Sequence, residues 1–116
     1  MGVGIDMCEV CRFERLLKNE RFMRRVFSER EREYILSRGV SSPQTAAGIF
    51  CAKEAFSKAV GTGLSDLRLC EIEVLRDEKG APFISLSGST RQKFGHFSVE
   101  LSITHTCSAA AAVVLL

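Results

Sequence analysis

The sequence predicts a small α+β fold, and three observations carry that reading. A short apolar run with alternating glycines opens the chain. A long alanine-rich segment follows Ser42-Pro43. Two stretches of the second half alternate apolar and polar residues with the period of a strand.

In chain order, Val3–Met7 reads as a strand, with Val3, Ile5 and Met7 on one face and Gly2, Gly4 and Asp6 on the other. Arg12–Lys18 reads as a helix with Phe13, Leu16 and Leu17 as its apolar stripe, and Arg21–Val26 as a second helical piece. Ser28-Glu29-Arg30-Glu31 has capping-box spacing and starts a helix that Gly39 ends near Arg38. Ser42 as N-cap and Pro43 at the first position open a helix to about Val60, whose five alanines between Ala46 and Ala59 suit close packing. Gly61-Thr62-Gly63 stops it. Cys70–Arg76 and Phe83–Ser87 form a hairpin around Asp77-Glu78-Lys79-Gly80, Ser89–Phe94 is a short helix, Phe97–His105 is an alternating strand, and Ser108–Leu116 is a buried final strand. No repeat or linker interrupts the 116 residues, which fit one domain spanning 1–116.

A hydrophobic fraction of 46% and a charged fraction of 26% describe a soluble globular chain. The net charge of +2 says little about partners, but its distribution says more. Arg12, Arg15, Lys18, Arg21, Arg24 and Arg25 face only Glu14 and Glu20 over that stretch, a patch that suits an acidic partner or is simply a solvated helix face. Five cysteines (Cys8, Cys11, Cys51, Cys70, Cys107) and no secretory signal point to reduced thiols in the cytoplasm. Cys8-x-x-Cys11 lacks nearby partners for zinc, so the cysteines are expected to act as buried small hydrophobes. The apolar run Ala109–Leu116 is too short to span a bilayer.

Four places could carry chemistry. Asp6 is a carboxylate in an apolar strand whose face is otherwise glycine. It either caps or pairs locally, or meets a ligand that the glycines admit. Glu54 and Lys58 stand one above the other on the alanine-rich helix, as a surface ion pair or as a metal ligand beside a phosphate-binding lysine. Magnesium is typically held by one or two carboxylates together with substrate phosphates and water. Gly61-Thr62-Gly63 is a helix stop or a loop whose amides reach a phosphate. His105 ends the apolar face of its strand and is a site residue, a core histidine or a turn residue.

Together, Gly4-Ile5-Asp6 with Arg12-Phe13, Phe27-Ser28-Glu29-Arg30-Glu31, the run from Ala47 through Lys53-Glu54-Ala55-Phe56-Ser57-Lys58 to Gly63, and Ser102-Ile103-Thr104-His105 resemble the holo-acyl-carrier-protein synthases among the 4′-phosphopantetheinyl transferases. The resemblance runs through nearly the whole chain and is most specific from Lys53 to Gly63. It implies a mostly antiparallel sheet packed against a long central helix, in a trimer with active sites at subunit interfaces. It further implies phosphopantetheine transfer from coenzyme A to an acyl-carrier-protein serine in fatty acid biosynthesis, releasing adenosine 3′,5′-bisphosphate.

By that resemblance Asp6 and Glu54 ligate magnesium, and Lys58, Gly61, Thr62 and His105 meet coenzyme A. Glu54, Lys58 and His105 form the catalytic set, and Arg12 and Arg25 dock the carrier. The base is a water at the metal, with or without Glu54 as relay, or else His105. Ile49 departs from the family, which often has a coenzyme A-binding arginine there. Thr104 stands for the usual serine, and Glu100 for a histidine found in some members. Competing readings are a basic RNA-binding module, which a single Tyr and no Trp disfavour, and an inactive interaction subunit of the same fold.

Overall fold

The computed structural model describes residues 2–61 and 67–116. Its order is β1 (Val3–Glu9), α1 (Cys11–Leu16), α2 (Glu20–Val26), α3 (Glu29–Ser37), α4 (Ser42–Val60), β2 (Ile72–Arg76), β3 (Pro82–Leu86), α5 (Gly88–Phe94), β4 (Glu100–His105) and β5 (Ala109–Leu115). The strands make two antiparallel sheets, a three-stranded one in the order β1-β5-β4 and the β2-β3 hairpin. The central helix α4 lies across the three-stranded sheet, packing mainly on β1 and β5.

Register puts Gly4, Asp6 and Cys8 of β1 opposite Val114, Ala112 and Ala110 of β5, which in turn oppose Leu101, Ile103 and His105 of β4. This row is the face toward α4, and the small residues on β1 and β5 let helix and sheet come close. A Cβ on Gly4 would overlap the carbonyl oxygen of Ala55, and one on Gly2 would overlap that of Ala59. The glycines beside Asp6 therefore admit the backbone of α4, not a ligand, which corrects the sequence reading of that face. The opposite face leaves Val3, Ile5, Met7 and Leu115 exposed.

A second anchor fixes the other side of α4. The side chains of Lys53 and Glu31 are both wholly buried, with Nζ 2.7 Å from Glu31 Oε1. The ammonium also donates to the carbonyls of Leu69 and Ile72 at 2.7 Å, so all three of its protons are used. Glu31 accepts further from the backbone N–H groups of Ser28 and Val74. The capping box read from the sequence is thus present, and its glutamate also joins α3 to α4 and β2. Burial pushes the Glu31 carboxyl up and the Lys53 amine down, and the mutual charge and hydrogen bonds oppose both shifts. Arg30 and Ser28 hold Glu73 alongside.

Phe13, Phe22, Phe27 and Phe50 pack α1 and α2 onto α4, with ring centroids 5.6 Å apart for Phe13–Phe50 and 6.3 to 6.4 Å for the pairs made by Phe22. That packing leaves the six basic residues of 12–25 exposed on the outer surface of these helices.

Four local expectations change. Ser41, not Ser42, is the N-cap of α4, because residues 39–41 form a 3-10 turn and the Ser42 hydroxyl donates to Ile35 O at 2.6 Å. Cys70 and Glu71, expected in a strand, lie in the 3-10 turn Leu69–Glu71, where the carbonyls of Leu69 and Ile72 turn in to Lys53. β4 begins at Glu100, not at Phe97. β5 is only alternately buried, because its outer face carries no covering layer.

Gly4→Ala is expected to lower unfolding free energy by about 3 kcal/mol, because a backbone carbonyl cannot yield as a side chain would; urea denaturation checks it. Lys53→Met alone is expected to cost about 3–5 kcal/mol by stranding Glu31, while Lys53→Met with Glu31→Leu recovers most of the loss in the same measurement.

Candidate active site

The site is the seam between β1 and α4. Strand pleating aims Asp6 at the helix, and a helical repeat of one turn stacks Glu54 and Lys58 toward the strand. Lys58 Nζ donates to Asp6 Oδ1 at 3.2 Å and to the carbonyl of Ile5 at 3.0 Å. The lysine thus pairs with Asp6 rather than with its helical neighbour Glu54. Asp6 is 18% exposed at its side chain and Lys58 is 54% exposed, so the pair sits at the rim of the seam.

Glu54 is half-buried. Burial raises its carboxyl above the ordinary value, the charge of Asp6 adds to this, and Lys58 and Arg12 pull the other way. Two carboxylates that repel each other at a partly dry seam are suited to a divalent cation. Their oxygen donors are the hard type that magnesium prefers. Among the described residues no group of three or more His, Cys, Asp or Glu side chains could hold a metal, so a cation at these two carboxylates would need substrate or water oxygens to complete its shell.

Arg12 lies at the edge of this charge system, its guanidinium 6.0 Å from the centre of the Phe50 ring. Arg12 also lines an open cleft with Cys11, Arg15 and Leu16. Arg25, on α2, lines a separate cleft with Arg24, Leu67, Arg68, Leu69 and Cys70. Of the two arginines, Arg12 acts on Glu54, while Arg25 stands at its own cleft.

Gly61 caps α4 in the left-handed conformation at φ +82°, its N–H bonded to Lys58 O. Thr62 and Gly63 lie outside the described residues. His105 ends β4, exposed. β5 stands between it and β1, so the two outer strands are about 10 Å apart, and one copy of the chain does not bring His105 to Asp6 and Glu54. Ile49 is buried in the core and presents nothing to solvent.

The cysteines divide. Cys8 and Cys51 are buried, but Cys11, at the start of α1, and Cys107 are exposed and Cys70 is intermediate, so the expectation of buried thiols fails for those three. Cys51 Sγ lies 3.1 Å from Cys8 Sγ, a pairing that the Cys8-x-x-Cys11 spacing did not suggest. The hydrogen bond from Cys51 lowers the Cys8 thiol and raises that of Cys51.

Sequence reasoning also missed Lys53. Its signal was a charged residue on the face of α4 that carries Ala46 and Phe56, where an unpaired ammonium could not be buried.

In metal-free protein, a carboxyl-carbon NMR titration is expected to find Glu54 protonating above the normal glutamate range. Asp6→Asn should lower that midpoint by removing a like charge, and Lys58→Met should raise it.

Against this geometry, a model of the 4′-phosphopantetheinyl transferase superfamily, ACPS, matches residues 2–114. A holo-[acyl-carrier-protein] synthase of Treponema denticola is 42% identical over 119 residues, covering 100% of this chain and 97% of that one. One from Trichlorobacter lovleyi is 43% identical over 123 residues, covering 100% and 96%. Among solved structures, the Helicobacter pylori holo-[acyl-carrier-protein] synthase in complex with coenzyme A superposes with a TM-score of 0.83 at 33% identity, over 97% of each chain. The Bacillus anthracis holo-(acyl-carrier-protein) synthase in complex with CoA (3′,5′-ADP) gives 0.83 at 38% identity, over 97% of this chain and 92% of that one. With its acidic seam on that shared fold, the chain belongs to the 4′-phosphopantetheinyl transferase superfamily, among the holo-[acyl-carrier-protein] synthases.

Proposed function

We propose that this chain moves 4′-phosphopantetheine from coenzyme A to a serine of apo-acyl carrier protein in the cytoplasm, with magnesium held by Asp6 and Glu54. The observation that carries the residue assignment is the convergence of Asp6, Glu54 and Lys58 at one seam. Family membership replaces the RNA-binding alternative. Among the described residues no helix is long and apolar enough to cross a membrane.

The carrier serine oxygen attacks the phosphorus that bears the pantetheine arm, and adenosine 3′,5′-bisphosphate leaves. Negative phosphates repel the nucleophile, so positioning and charge neutralisation dominate the barrier. Asp6 and Glu54 would hold the magnesium, which would supply charge neutralisation at the leaving phosphate. Lys58 then exchanges Asp6 for a phosphate oxygen, a move its exposed, flexible stem allows. Glu54, acting through a water, is the first choice of base, and His105 is the second. Gly61 and Thr62 contribute to the phosphate site where α4 ends. Arg12 and Arg25 dock the acidic carrier surface, holding its serine over the seam.

The exposed row of Val3, Ile5, Met7 and Leu115 supports a homotrimer, in which copies of the chain cover that face. His105, remote from the seam of its own copy, then serves the coenzyme A site of a neighbour.

The test is transfer to apo-carrier followed by intact mass, with coenzyme A, magnesium and an EDTA control. Asp6→Ala and Glu54→Ala are expected to abolish transfer with the circular dichroism unchanged; full activity in either removes the metal assignment. Arg12→Glu is expected to raise the carrier KM by about tenfold or more while leaving the coenzyme A KM near wild type. Ile5→Asp is expected to convert the assembly to monomers in sedimentation velocity and to lose transfer with it. An active monomer removes the shared-site assignment.

A further inference from the structure

We propose that Cys8 and Cys51 are an oxidative modification site, closing to a disulfide that switches the transferase off. The two sulfurs are 3.1 Å apart as free thiols, on different elements. Cys8 lies on the same face of β1 as Asp6, two residues on. Cys51 lies on α4, three residues before Glu54. The pair therefore bridges the two elements that carry the acidic seam. A disulfide holds its sulfurs about 2.0 Å apart, so closing it shortens their separation by roughly 1 Å and shifts the strand or the helix, or the side chains between them, beside Asp6. The glycine-mediated contact at Gly4 leaves no slack to absorb that movement.

Access sets the order of events. Cys8 retains 8% exposure and Cys51 none, so a small oxidant meets Cys8 first. With hydrogen peroxide, the Cys8 sulfur attacks one peroxide oxygen, the O–O bond breaks, and one water leaves with Cys8 as a sulfenic acid. The Cys51 sulfur then attacks the Cys8 sulfur, forming S–S and releasing the hydroxyl as a second water. Two thiols are oxidised, one peroxide is reduced, and both thiol protons end in water. Cys11 is not the resolving partner, because its thiol points to the Glu9 carboxylate at 3.5 Å, exposed. An added dithiol reverses the bond by exchange.

The full-length protein is treated with hydrogen peroxide, remaining thiols are alkylated, and an unreduced digest is mapped by mass spectrometry, with transfer assayed before and after dithiothreitol. The expected result is a peptide joining Cys8 to Cys51 and a loss of transfer of about a hundredfold when oxidation is complete, the scale of a 1 Å misplacement. Reduction restores activity, and Cys51→Ala and Cys8→Ala each keep their own untreated activity in peroxide. A Cys8–Cys11 link, no link, an unchanged rate in the linked protein, or equal loss in Cys51→Ala overturns the proposal. The peptide map on the unmutated chain needs no transferase activity, so its outcome stands apart from that of the functional reading.

Discussion

The close approach of α4 to β1 is the constraint on which the site depends. Carbonyl oxygens of Ala55 and Ala59 occupy the space that side chains at Gly4 and Gly2 would fill. Helix and strand thus meet nearly backbone to backbone, and short side chains suffice to span the seam. An aspartate on the strand then faces a glutamate on the helix, and a lysine one turn further reaches both the carboxylate and the carbonyl beside it. A bulkier interface would separate Asp6 from Glu54 by the width of a side chain, and the effect of the Asp6 charge on the Glu54 carboxyl would fade with it.

Rotation of the helix is set from its other side. Lys53 and Glu54 are consecutive, so their side chains leave α4 about 100° apart. Lys53 is locked by Glu31 and two carbonyls in the interior, which turns Glu54 outward to the seam. A buried ion pair is weak evidence for net stability, but it specifies geometry when every donor has an acceptor, as here. The pair also joins the hairpin to the helix, in addition to the direct packing of β3 against β4.

The charge layout extends the logic outward. The aromatic cluster of Phe13, Phe22, Phe27 and Phe50 uses the inner faces of α1 and α2, which leaves their arginines no course but the surface. Arg12 connects that surface to the seam, lying close enough to moderate Glu54 while stacked near Phe50. An acidic protein drawn to Arg12 would arrive beside the acidic seam.

The order of elements, the capping box at Ser28, the stop at Gly61 and the candidates Asp6, Glu54 and Lys58 were all legible in the residues, because capping, periodicity and glycine tolerance are local properties. The motif runs carried the family as well. Tertiary structure alone decided what the glycines beside Asp6 accommodate, that Lys58 pairs across the seam, that Lys53 is an interior anchor, that Cys8 meets Cys51, and that His105 stands two strands away. Each of those depends on which backbones come within a few ångströms of one another, a relation between distant segments that no local spacing encodes.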